Sequence, residues 1–286
     1  MTDYKEYNER FLKLLSFYLY SADKMIGLKD YNAVKGCGVD GDTAFALLLA
    51  EGLGVDTEKE KEFFREYFIP SVKKLEVSDY YEDEFYKTVL IDGCVSGDVS
   101  LTYLTQQAFQ GFVRDDFSYY PNGKVVARIG FFEEDYLYPA VKKGGVEWMT
   151  LLPNEINSQK KYISAAFGNV LCYGLGLGYY AFHVAKKPNV SGVTVVDIDG
   201  AVIDVFNKSI LPHFPKNVAE KIKIVKADAF SFAETLKDGE FDYIYADIWR
   251  DAGDGVELYL KFKESERFSP SSKYGYWIED TIKYYL

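Results

Sequence analysis

Cysteine and histidine are scarce in this 286-residue chain, which has 3 Cys and 2 His. Cys37, Cys94 and Cys172 are odd in number and far apart, which excludes a disulfide framework and a two-thiol metal clamp. They read as reduced thiols. His183 and His213 show no paired metal-ligand spacing, so no metal is expected and neither is assigned to catalysis. Basic clusters longer than a Lys/Arg pair are also missing, and 33 basic against 44 acidic side chains leave a net charge of -11. Nucleic acid and anionic membrane surfaces are therefore not expected partners. No apolar run approaches the roughly 20 residues of a membrane span. The start, Met1 to Glu6, lacks the basic-then-apolar profile of a secretory leader. A cytoplasmic protein is expected. What the chain has in abundance is large rings, 25 Tyr and 21 Phe within a 48% hydrophobic composition, which fits a folded protein with sizeable cores.

The pattern of apolar residues divides the chain. Up to roughly residue 110 the periodicity is mainly helical: Tyr7, Phe11, Leu14, Leu15 and Tyr18 recur at helical spacing, and Thr43 to Leu53 and Glu58 to Phe68 predict further helices, with Pro70 interrupting. The aromatic stripe at 7 to 18 is read as the buried face of a helix in its own domain. Tyr120-Pro121-Asn122-Gly123-Lys124 has turn chemistry and predicts a hairpin between Phe117 to Tyr120 and Val125 to Phe132. Beyond it, Asn169 to Tyr173, Val193 to Val196, Ile222 to Val225 and Phe241 to Ala246 are strand-like, with room for crossover helices between them. Tyr274 to Ile278 is a fifth, weaker strand. The prediction is an α/β chain with a Rossmann-like, mostly parallel, doubly wound sheet of about five strands. The expected divisions are a helical region over 1–110, a β-hairpin connector over 111–150 and a ligand-binding domain over 151–286.

Four segments carry chemistry. In Val170 to Phe182 a buried strand runs into Gly174, Gly176 and Gly178 and then a helix, a turn that lets a nucleotide-like ligand approach the backbone. About 20 residues later, Val193 to Asp199 ends in two acids, the interval expected of a ribose-binding carboxylate. Side-chain alternation points Asp197 and Asp199 the same way, and Asp199 is expected to cap the following helix. Asp228 follows the third strand and suits either an adenine amine or a helix cap. Asp247 ends the fourth strand at the carboxyl edge, where open α/β sheets bind ligands, and Asp251 and Asp254 follow as candidate site acids or solvated loop charges. Trp148, Met149, Asn154 and Glu155 precede the sheet; they either border the ligand or, for Glu155, complement a helix dipole.

In their order and intervals these segments resemble class I S-adenosylmethionine-dependent methyltransferases over Glu147 to Glu279. The resemblance implies S-adenosyl-L-methionine as cofactor, held by Tyr173, Gly174, Gly176 and Gly178 beside the methionine moiety, by Asp197 and Ile198 at the ribose, and by Asp228 and Ala229 at the adenine. It implies a methyltransferase acting on a small-molecule or protein acceptor by in-line displacement at the sulfonium, with Asp247 beside the reacting centre. If the acceptor must lose a proton, Asp247 is the first candidate and Asp251 the second. Tyr173 stands where related chains often carry an acid, and no Asn-Pro-Pro-Tyr motif follows the fourth strand. The N-terminal half is expected to supply a lid and the acceptor pocket.

Two alternatives stand beside this reading. Val195 to Asp199 and Tyr243 to Asp247 also resemble the spermidine synthase-like branch of the same fold, which transfers an aminopropyl group from the decarboxylated donor. That branch implies an acid inside the glycine loop and a second acid shortly after Asp247. The loop here lacks the former, and Asp251 matches the latter imperfectly. The other alternative is a non-catalytic protein that keeps the nucleotide pocket. A nicotinamide-binding enzyme fits less well, because counting from Gly174 the third glycine position falls on Tyr179.

Overall fold

Spacing of three and four residues puts Phe11, Leu15 and Tyr18 on one side of the Tyr4–Tyr20 helix, and all three are buried. The computed structural model describes residues 4–21, 26–89 and 93–286 and divides into two compact units. The first comprises Met1–Tyr80 and Thr105–Leu137, the second Tyr81–Leu104 and Tyr138–Leu286. The units follow contact rather than chain order, so each is assembled from two segments.

The core of the first unit is aromatic. Phe11 lies 5.2 Å from the rings of both Tyr67 and Phe68, and Phe45 stacks on Phe131 at 4.0 Å. The stripe on the first helix thus packs into its own unit. The Gly41–Gly52 helix is capped by Asp40, whose carboxylate accepts the Thr43 N–H at 2.8 Å. Pro70 does not interrupt the next helical stretch. Lys61–Phe63 continues through a π-turn at Phe64–Phe68 into Ile69–Ser71, and the wider turn accommodates a residue that has no N–H to give.

Helices give way to strands earlier than the periodicity predicted. In chain order β1 is Val72–Lys74, β2 Val95–Ser96 and β3 Val99–Gln106. Helix had been expected over 95–106, yet Val99 and Leu101 are buried while Ser100 and Thr102 are less so, the period-two signature of a strand. Next come β4 (Phe112–Tyr119) and β5 (Val125–Phe131), the predicted hairpin, closed by Gly123 at φ +84°. They join β1 in a three-stranded sheet of order β1-β5-β4. β6 (Tyr136–Lys143) and β7 (Val146–Thr150) extend a second sheet of order β2-β3-β6-β7.

The third sheet positions the site. Its strands are β8 (Gly168–Tyr173), β9 (Val190–Asp197), β10 (Ile222–Lys226), β11 (Tyr243–Ala246) and β12 (Lys273–Tyr276). All pair in parallel, in the order β10-β9-β8-β11-β12. This is the expected Rossmann-like α/β architecture, with strand order reversing between β8 and β11. Val170 to Tyr173 and Tyr243 to Ala246 are buried throughout, which is why they read as continuous apolar runs.

Candidate functional site

A cavity of about 500 Å³ opens at the carboxyl ends of β8, β9, β10 and β11, the location the topology predicts. Gly174, Gly176, Asp197, Asp228 and Asp247 line it from the sheet side. Met149 at the end of β7, and Glu155 and Gln159 on the Pro153–Ala165 helix, close it from the segment ahead of the sheet. That helix begins with Pro at its first position, where the missing N–H costs nothing. It is tied down by the Trp277 indole, which donates to Ser158 Oγ at 2.7 Å, and by Leu151 N–H, which donates to the Pro139 carbonyl at 2.9 Å.

The glycine loop needs its glycines for different reasons. Gly174 (φ +97°) packs so closely on the following loop that a Cβ would strike the Asp247 carbonyl. Gly178 (φ +81°) has no room for a Cβ against the Phe206 ring. At Gly176 (φ +55°) a Cβ would find nothing nearer than the Met149 sulfur at 3.9 Å, so here the bare backbone faces the cavity. Asp197 holds this loop from the next strand. One carboxylate oxygen accepts the Leu175 N–H at 2.9 Å and the other the Asp199 N–H at 2.8 Å. Burial raises the Asp197 carboxyl, and the two backbone donors partly offset that rise. Each oxygen retains a lone pair that can accept from a ligand hydroxyl.

Asp247 is fixed at both ends. Its N–H donates to the Tyr173 carbonyl at 2.9 Å, and its carboxylate accepts Gln159 Nε2 at 3.2 Å and the Tyr245 hydroxyl at 3.4 Å. Burial pushes its carboxyl up to about 7. Glu155 is raised well above the usual carboxylate range, first by burial and then by the negative charge of Asp247. The two positive side chains on the cavity wall do not neutralise these acids: Lys143 pairs with Asp199, and Arg250 pairs with Asp254 at 3.4 Å.

Several expected site residues sit elsewhere. Tyr173 is 1% exposed, packs its ring 5.0 Å from the Phe262 ring and does not line the cavity. Strand alternation explains this, because Cys172 and Gly174 face the cavity and the residue between them does not. Asp251 is an exposed helix cap in a capping box with Asp254 and does not line the cavity. Asp199 caps the Gly200–Val205 helix as expected. Asp228 lines the cavity but also caps the Ala229–Ala233 helix, accepting the Ser231 N–H at 2.8 Å. Ile198 lines the cavity while 66% exposed, an apolar wall suited to a base ring, and Ala229 also lines it. His183 meets the Asp83 carboxylate at 3.2 Å, outside the cavity lining. Glu155 and Gln159 are the residues that sequence reasoning undervalued. An acid in the first turn of a helix is ordinary, and no spacing rule connects residue 159 to residue 247.

An adenosyl sulfonium ligand fits these residues: a bare backbone at Gly176, a half-buried carboxylate at Asp197 with free lone pairs, and an exposed apolar wall at Ile198. Comparison with known proteins bears on the same stretch. Residues 144–268 match the spermine/spermidine synthase domain. Among curated proteins, polyamine aminopropyltransferase of Bacillus cytotoxicus is 35% identical over 95 residues, covering 32% of this chain and 34% of the relative. Putrescine N-methyltransferase 4 of Nicotiana tabacum is 29% identical over 91 residues, covering 32% of this chain and 23% of the relative. The matches thus span a quarter to a third of those relatives' length. Among solved structures, spermidine synthase from Thermotoga maritima aligns with a TM-score of 0.35 at 17% identity, over 56% of this chain and 61% of that one. The sequence matches fall on the spermidine synthase-like branch held as an alternative above, rather than on methyltransferases in general. No helix among the described residues is long and apolar enough to cross a membrane.

Proposed function

We propose that this chain is a transferase that moves an alkyl group from an adenosyl sulfonium donor to a small amine, with aminopropyl transfer from decarboxylated S-adenosylmethionine as the first reading. The observation that carries it is the acidic floor of the cavity. Glu155 and Asp247 both line the cavity, and among the described residues neither is paired with a cation, which suits an acceptor that brings positive charge. The spermine/spermidine synthase domain match and the polyamine aminopropyltransferase relative support the same choice.

In this reading Asp197 and the Gly174 to Gly178 loop orient the donor, and Asp247 takes a proton from the amine so that its lone pair can attack the carbon on sulfur. The C–N bond forms as the C–S bond breaks, and the electron pair of that bond stays on sulfur. The donor is already activated, so the protein's work is alignment, exclusion of water and management of one proton.

Methyl transfer from S-adenosylmethionine to the same kind of amine is the second reading. It is favoured by Leu175 and Leu177, which leave the glycine loop without an acid, and by the putrescine N-methyltransferase relatives. Incubation with 1,4-diaminobutane and either donor, read by mass spectrometry, separates the two: an aminopropyl adduct supports the first and a methyl adduct the second. If neither donor yields a modified amine, the transferase proposal is wrong.

A further inference from the structure

Glu155, Asp247, Gln159 and Tyr180 line one cavity, the Tyr245 hydroxyl meets Asp247, and these groups are not all satisfied by one another. Glu155 and Gln159 are four residues apart on one helix and so share a face. Gln159 is 7% exposed and spends its Nε2 on Asp247, while its buried Oε1 has no partner among the described residues. An unmet acceptor beside two acids calls for a ligand that brings N–H donors and positive charge.

We propose that Glu155 and Asp247 act as one acid pair that holds a single proton when no cation is present and releases it to solvent when an ammonium group docks against them and Gln159. The inference rests on the amine-acceptor reading and assigns Glu155 a role there. On docking, the O–H bond of the protonated carboxyl breaks, its electron pair stays on the carboxylate, and the proton passes to water. The incoming ammonium replaces that proton as the partner of the second negative charge.

The groups around the pair argue for this. From β11 the Tyr245 hydroxyl reaches Asp247 at 3.4 Å; from β8 comes the Cys172 thiol; from the Tyr179–Ala185 helix comes Tyr180, whose buried hydroxyl has no partner among the described residues. At the end of β9 is Asp197, itself an acid. Burial raises Cys172, Tyr180 and Tyr245 well above their ordinary values, so they stay neutral and supply no countercharge. Lys143 and Arg250 are engaged by Asp199 and Asp254. Two carboxylates that line one cavity and feel each other's charge do not both ionise near neutral pH unless a cation arrives.

The test uses the full chain and two readouts. Carbon-13 NMR of side-chain carboxyls, followed from about pH 4 to pH 9, compares wild type with Glu155→Gln and Asp247→Asn. Each substitution is expected to lower the midpoint of the remaining partner by about one pH unit or more, a tenfold change in proton affinity. Calorimetric titration with 1,4-diaminobutane near pH 7, in buffers of different ionisation heat, counts protons. Wild type is expected to release protons on binding, and either variant to release less than half as many.

Midpoints that do not move in either variant overturn the pairing, whatever the chain catalyses. Binding of 1,4-diaminobutane without proton release overturns the proposal and leaves the amine reading standing. Coupled midpoints with no binding of 1,4-diaminobutane in wild type overturn the amine reading and the docking step together.

Discussion

Gln159 Nε2 meets the Asp247 carboxylate at 3.2 Å, joining the helix ahead of the sheet to the end of its fourth strand across 88 residues of sequence. The bond fixes the direction of an acid that has no positive partner among the described residues. On the proposed function Asp247 serves the site at some expense to the fold, and substitutions there separate activity from stability.

Asp247→Asn keeps the shape and removes the charge. Loss of a proton-accepting group costs about 100-fold to 10,000-fold in rate. Thermal unfolding near pH 7.5 is expected to occur at the same or a higher temperature than in wild type, because the repulsion with Glu155 disappears. Steady-state kinetics and calorimetry on one preparation check both halves; full activity with lowered stability would give Asp247 a purely structural role.

The same carboxyl makes stability depend on pH. Its value in the folded protein is about 7 against an ordinary 3.8, so between these values the folded state binds the proton more tightly than the unfolded chain does. Its contribution is fully present below the unfolded value and is lost as pH rises through about 7. Carboxylates lowered by their partners, such as Asp199 and Asp228, act in the opposite sense, but only at pH values below the ordinary carboxylate range. The melting temperature of wild type should therefore fall from about pH 5 to pH 7.5, and the Asp247→Asn profile should be flatter over that window. Parallel profiles would mean that Asp247 is already ionised at the lower pH.

Much of this site was legible in the sequence because the sheet obeys simple rules. Strands buried on both faces read as apolar runs, and Asp197 and Asp247 stand where those runs stop. Tyr173 was misjudged because its place beside Gly174 suggested contact, whereas alternation sends its ring toward Phe262. Asp251 looked like a second site acid, yet Gly253 N–H donates to it at 2.6 Å, an ordinary capping role that spacing alone does not distinguish from catalysis. In β3 the alternation from Val99 to Tyr103 was the available signal, masked by the helical periodicity before it. Glu155 stands out only as a residue that either borders the ligand or complements a helix dipole, and Gln159 leaves no signal, since Asp247 is brought to it only by tertiary packing.

Stability of the first unit should depend on Asn8. Its Oδ1 accepts the Tyr67 hydroxyl at 2.6 Å and the Val125 N–H at 2.9 Å, and its Nδ2 donates to the Gly123 carbonyl at 3.0 Å. Asn8→Ala removes three bonds and strands a buried backbone donor, a loss of about 2–3 kcal/mol. Urea denaturation measures it directly. A change below about 0.5 kcal/mol would mean that water replaces the side chain at little cost.

The glycine loop offers a cleaner separation of fold from ligand. Gly178→Ala combines a positive φ with a Cβ driven into Phe206, a buried ring that has no room to retreat, so a destabilisation of about 2–4 kcal/mol is expected. Gly176→Ala shares the positive φ but meets only the Met149 sulfur at 3.9 Å, so its cost to the fold is about 1 kcal/mol from backbone strain alone. Its methyl group instead enters the space assigned to the donor. The expected result is a stable Gly176→Ala protein whose affinity for S-adenosylhomocysteine, measured by calorimetry, falls at least about tenfold, the equivalent of 1.4 kcal/mol. If Gly176→Ala binds that ligand as tightly as wild type, the bare backbone at this position does not face the donor, and the orientation of the ligand across the sheet edge must be drawn differently.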